Sequence, residues 1–127
     1  ALTMCQTQNN KYCGALHDKS RQLSKCVLNA LCEKTGAKNR GVSETDSMSG
    51  INWCKVPVTI VEMGFMSNPD EDRKLCDDGY QDKLAAGIAN GIDNYFNMYL
   101  FKSSVVHSDR RSLFFCIRGR FELKSGI

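Results

Sequence analysis

The run Lys-Val-Pro-Val-Thr-Ile-Val-Glu-Met-Gly-Phe at residues 55–65 constrains the fold more than any other stretch. Pro57 suits the start of a strand but would disturb its middle, because it has no N–H to give the ladder. Val58, Thr59, Ile60 and Val61 follow without apolar–polar alternation. That pattern predicts a strand buried on both faces, as in a parallel sheet covered by helices. Glu62 ends the run. Burying a charge without a partner is costly, so a carboxylate here demands a reason. Gly64 then stops the strand. Asn68 is the predicted cap of a following helix, with Pro69 in its first position and Glu71 three residues after the cap. Asp77, Asp78 and Gly79 are expected to close that helix.

Two further helices are legible. From about His17 to Lys34, Leu23, Val27, Ala30 and Leu31 fall on one face, and Gly36 is a good stop. From roughly Tyr80 to Tyr99, Leu84, Ile88, Ile92, Tyr95, Phe96 and Tyr99 form an apolar face beside Ala85 and Ala89. Its aromatic cluster reads as core rather than as a carbohydrate platform. Residues 1–6 alternate weakly and predict a short strand. The loop-rich stretch 39–53 carries short extended pieces around Val42 and Ile51. Helices alternating with a doubly covered strand place the chain in the α/β class. The expected architecture is a partial three-layer domain, a mostly parallel sheet flanked by helices, with an unplaced C-terminal tail. In such sheets ligands gather beyond the carboxyl ends of the strands, where Glu62 stands.

The 127 residues suffice for one domain with a core of its own. No apolar run approaches the ~20 residues of a membrane span. Charge is uneven: residues 1–100 carry 11 Lys/Arg against 12 Asp/Glu, whereas residues 101–127 carry 6 against 2. That break suggests a boundary near residue 100. A basic tail can approach an anionic wall polymer, a membrane or a nucleic acid, although a solvated, poorly ordered terminus is the simpler expectation. Within it, Ser-Leu-Phe-Phe-Cys-Ile is strand-like, but no pattern ties the tail to the rest. The seven cysteines are odd in number and include no Cys-x-x-Cys, which argues against a zinc finger or a thioredoxin-like motif. Most are expected to be reduced, buried or half-buried thiols.

The segment Val-Pro-Val-Thr-Ile-Val-Glu-Met-Gly-Phe-Met-Ser-Asn-Pro-Asp-Glu-Asp-Arg-Lys-Leu resembles a motif of the zinc-dependent N-acetylmuramoyl-L-alanine amidases of the third amidase type. The Glu-x-Gly-Phe-x-Ser-Asn string is its most specific part. Residues 23–42, with their Arg-Gly pair, and the helix around residues 80–96 are similar to the flanking parts of that family. The likeness runs through roughly residues 1–98.

The resemblance implies a peptidoglycan hydrolase that cleaves the amide between N-acetylmuramic acid and L-alanine. Zinc would activate the water, and Glu62 matches the glutamate that acts as general base and then acid. Gly64 and Asn68 would shape the loop beside it, and Arg40 is a candidate for an anionic part of the substrate. On residue pattern alone, Arg40 could equally pair with Glu44 or Asp46, and Glu62 with a nearby Lys or Arg. The family's zinc ligands lie in Asp-x-Gly-His and Ser-x-His-x-Asn strings that precede the part matched here, and neither string occurs in this chain. The chain is therefore expected to correspond to the second half of the catalytic domain, weak or inactive alone and without tightly bound zinc. His17 and His107 sit in no ligand motif and read as surface or capping residues. Residues 1–100 form the amidase portion in this reading, and residues 101–127 the basic tail. The implied partner is peptidoglycan, in the extracellular space or wall, with no nucleic acid involved. The alternative is a non-catalytic wall-binding or structural remnant. A sheet cut short exposes strand edges, which predicts self-association. No signal peptide is visible, and alanine at position 1 fits a processed or truncated start.

Overall fold

The computed structural model describes residues 1–102 and 114–117. In chain order these form β1 (Leu2–Cys5), α1 (His17–Thr35), β2 (Val42–Glu44), α2 (Ser49–Asn52), β3 (Val58–Glu62), α3 (Pro69–Leu75), α4 (Asp78–Lys102) and β4 (Phe114–Ile117). A short 3₁₀ turn, Gly14–Leu16, leads into α1. The strands lie in the order β2-β1-β3-β4. β1 runs parallel to β2, β3 runs parallel to β4, and the central β1–β3 pair is antiparallel, with Leu2 opposite Glu62 and Met4 opposite Ile60. This is the expected α/β architecture. The strand-like piece of the basic tail has a place in it, because Phe114–Ile117 pairs with Val58–Val61. The view that nothing ties the tail to the rest is corrected there. The remaining residues of that tail, His107 among them, lie outside the described residues.

β3 is buried from Val58 to Val61, as its composition predicts. Side chains alternate across a strand, so the two faces of β3 meet different layers. Val61 packs with Leu23, Val27, Leu28 and Leu31 of α1 and with Leu84, Ile88 and Tyr95 of α4. Val58 and Ile60 pack against Ile51 of α2, with Met4 and Met48 beside them. Fully burying an aliphatic side chain stabilises by roughly 1.5–3 kcal/mol, so the larger cluster on the α1/α4 side dominates.

Between α1 and the sheet runs a seam of buried hydroxyls. Ser24 Oγ and Thr59 Oγ1 are 2.8 Å apart, Thr3 Oγ1 donates to Ser24 O at 3.1 Å, and Ser20 Oγ accepts from Val58 N at 3.1 Å. Between α1 and α4 the approach is closer still. A Cβ added at Gly87 would lie 2.8 Å from Leu31 Cα, and one at Gly91 would overlap Val27 Cα.

Three local expectations change. Ile51 lies in one helical turn rather than an extended piece, because Ile51 N and Asn52 N both donate to Met48 O while the Ile51 side chain is buried under the sheet. Asp77 does not close α3. Its carboxylate accepts from Tyr80 N at 2.7 Å and so caps the start of α4. His17 is buried rather than superficial. Its Nδ1 lies 3.1 Å from Asp18 Oδ1 and its Nε2 lies 3.1 Å from Glu44 Oε2. The second contact has an ion-pair distance without hydrogen-bond alignment.

Candidate active site

β3 delivers Glu62 to the end of the sheet where β1 begins. The side chain is half-buried. It makes no hydrogen bond or ion pair with any described residue, so the pairing with a Lys or Arg that strand pattern alone allows does not occur among them. A strand-end carboxylate left without a partner is available to exchange protons with a molecule from solution.

The loop after β3 is held from α3. Asn68 caps that helix, its Oδ1 accepting from Asp70 N at 2.9 Å and from Glu71 N at 3.4 Å. Glu71 does not complete a capping box, because the N–H of Asn68 is taken by Phe65 O. Instead Glu71 Oε2 reaches further back to accept from Phe65 N at 2.8 Å, three residues past Glu62. The hydrogen bond from Phe65, helped by the Arg40 guanidinium, holds this carboxyl below its ordinary pKa. Gly64 lies close under α3: a Cβ there would come 3.2 Å from Leu75 Cδ1 and 3.3 Å from Glu71 Oε2, so those side-chain ends would have to give by a few tenths of an ångström. The bracing role of Glu71 is the feature that sequence reasoning missed. Its signal was present, since a glutamate three residues after a cap has a free carboxylate whenever the capping box fails to form.

Arg40 comes to the same end of the sheet. Its guanidinium lies 3.4 Å from Glu71 Oε1 and stacks 4.8 Å from the Phe65 ring centroid. The alternative pairings with Glu44 and Asp46 are not formed. Glu44 is engaged by Arg21 and His17, and Asp46 accepts from Thr7 and Asn10. The structure thus brings Glu62, Gly64, Phe65, Asn68, Glu71 and Arg40 into one neighbourhood.

His17 is not part of it. Glu44, its neighbour, sits opposite Cys5, at the other end of β1 from Leu2 and Glu62. Among the described residues no three His, Cys, Asp or Glu side chains gather as a metal site. The residues at hand therefore do not fit a zinc ion by themselves. A polar groove of about 460 Å³ opens between α1 and α4, lined by Glu33, Lys34, Asn90, Asp93 and Asn94, and Glu62 has no part in it.

The likeness to known proteins extends over most of the chain. A family described as N-acetylmuramoyl-L-alanine amidase matches residues 11–94. The uncharacterized protein YqiI of Bacillus subtilis is 34% identical over 80 residues, covering 63% of this chain and 38% of its own. The N-acetylmuramoyl-L-alanine amidase AmiA of Salmonella typhimurium is 38% identical over 56 residues, covering 44% of this chain and 19% of its own. The CwlD amidase of Clostridioides difficile, solved in complex with the GerS lipoprotein, superposes with a TM-score of 0.67 at 28% identity, over 76% of this chain and 46% of that one. The chain thus spans less than half the length of each.

Proposed function

This chain belongs to the N-acetylmuramoyl-L-alanine amidase family, and we propose that it carries, in Glu62, the general base of a peptidoglycan amidase. The bond cleaved is the amide between the lactyl group of N-acetylmuramic acid and L-alanine. The observation that carries this reading is the half-buried carboxylate at the end of β3, without a partner among the described residues, inside the Glu-x-Gly-Phe-x-Ser-Asn string.

Glu62 takes a proton from water as the water oxygen attacks the amide carbon. It then returns that proton to the nitrogen of the departing L-alanine as the C–N bond breaks. Glu71 acts one step back. By gripping Phe65 N it fixes the turn that follows Glu62 and sets how the carboxylate is presented. Arg40, whose side chain is 41% exposed beside the Phe65 ring, is the residue we assign to an anionic part of the stem peptide, a reading its exposure supports. Zinc, which the resemblance to the family implies, would supply an acidified water and a polarised carbonyl. The described residues do not assemble its site. Peptidoglycan as substrate puts the site of action in the extracellular space or wall. No helix among the described residues is long and apolar enough to cross a membrane.

The test is a chimaera in which residues 1–98 replace the matching segment of a full-length relative. Release of L-alanine-terminated peptide from muropeptides is then measured. Glu62→Gln in the chimaera should lower kcat by about 10²–10⁴ with little change in KM and an unchanged melting temperature. Equal rates for the two chimaeras would remove Glu62 from the chemistry.

A further inference from the structure

Two short segments far apart in the chain lie side by side at the end of the sheet away from Glu62. One is the loop after β1, residues 10–13. The other is the exit of α2, residues 51–54. Three contacts join them, and a fourth holds Cys54 on its own helical turn. Asn10 Nδ2 donates to Asn52 Oδ1 at 2.9 Å. The rings of Tyr12 and Trp53 are 4.4 Å apart between centroids. Cys13 Sγ lies 3.5 Å from Ile51 O, and Cys54 Sγ lies 3.2 Å from Gly50 O. Those two carbonyls are consecutive in one helical turn, roughly 3.5 Å apart by helix geometry. Two sulfurs are thus anchored on neighbouring oxygens, each next to a member of the aromatic pair.

We propose that Cys13 and Cys54 are a redox pair that closes to a disulfide, stapling the loop after β1 to the connection between α2 and β3. Both are thiols in the structure. The contacts beside them hold the two segments together, and the disulfide itself needs a Cα separation of about 4.4–6.8 Å. Supporting the same proximity, each thiol lies within the electrostatic reach of the other, and burial pushes the Cys13 thiol above its ordinary pKa.

The oxidant is a low-molecular-weight disulfide of the glutathione class. Cys54, the more exposed thiol, attacks as thiolate. Its Sγ bonds to one external sulfur, the external S–S bond breaks, and one external thiol leaves. Cys13, deprotonated in turn, attacks Cys54 Sγ, the mixed disulfide breaks, and the second external thiol leaves. Two S–H bonds in the protein become one S–S bond, and the external disulfide takes up two electrons and two protons. The outcome does not depend on the amidase reading.

The experiment uses the full chain in its native state. It is incubated with excess oxidised glutathione, its remaining thiols are alkylated, and the tryptic peptides are mapped by mass spectrometry. The expected product joins the peptide 12–19, which carries Cys13, to the peptide 41–55, which carries Cys54. Emission from Trp53, the single tryptophan, should fall on oxidation and return with dithiothreitol. Cys54→Ser should abolish the linked peptide and the reversible quench together. The melting temperature of the oxidised chain should rise by roughly 10 °C. Recovery of the two peptides separately, alkylated or capped by glutathione, or joined to other cysteines, overturns the proposal.

Discussion

The Ser24 hydroxyl lies 2.8 Å from that of Thr59, fully buried between α1 and β3. With Ser20 and Thr3 it forms a polar seam where an aliphatic layer would be the ordinary solution. Ser24→Ala removes one partner and leaves Thr59 Oγ1 with only long contacts, to Met4 O at 3.4 Å and Ile60 O at 3.5 Å. The expected cost is about 1–2 kcal/mol in urea unfolding, with an unchanged m-value. No loss would mean that the hydroxyl is replaced by water or by rotation of Thr59. Cys5 faces the same serine, and burial pushes its thiol up to about 11, so it stays protonated at neutral pH. At this scale the sequence was uneven to read. Glu62 and Asn68 announced themselves by position, one ending an apolar run and the other preceding proline. Ser20, Ser24 and Thr59 did not, because a hydroxyl within a helix or strand pattern reads as exposure until its partner across the layer is known.

At the scale of elements, α1 and α4 are a matched pair. The apolar spacing that predicted both helices also predicted that they bury one face each. It did not predict how close they come, because the feature that sets the distance is a pair of missing side chains. Gly87 and Gly91 are one helical turn apart and both face the α1 backbone. Helix propensity alone favours Gly91→Ala by about 1 kcal/mol. Overlap of the new Cβ with Val27 Cα opposes it, and overpacking of this kind costs typically ~1–3 kcal/mol or more. Because the obstructing atom belongs to the backbone, the steric term wins. Gly91→Ala should therefore lower the melting temperature by several degrees, and a rise would show that the helices separate without penalty.

Across the whole molecule, two carboxylates hold loops at opposite ends of the sheet. Glu71 grips Phe65 near Glu62. Asp46 grips the side chains of Thr7 and Asn10 and the N–H of Thr7 at the far end. Hydrogen bonds to the charged form lower both pKa values, the bond from Phe65 N leading for Glu71 and that from the Thr7 hydroxyl for Asp46. A group depressed in the folded state stabilises fully above its unfolded pKa, and that contribution is lost as pH falls through the folded value. The melting temperature should therefore begin to drop below about pH 4.3 and continue to drop through the acid range. Glu71→Gln should flatten that decline, and an unchanged profile would show that the loops do not depend on charge. The α/β class and the place of Glu62 within it were legible in one doubly buried strand and its flanking helices. The antiparallel join between β1 and β3 was not, since strand direction depends on partners distant in the chain.

That join bears on how the protein is made. Of the described strands, β1 is synthesised before both of its sheet neighbours, β2 and β3, the second ending at Glu62. At a synthesis rate of roughly 5–20 residues per second, β3 follows β1 by seconds. Local structure such as α1 can form meanwhile, whereas the β1–β3 join is tied to the emergence of the same carboxylate that ends β3.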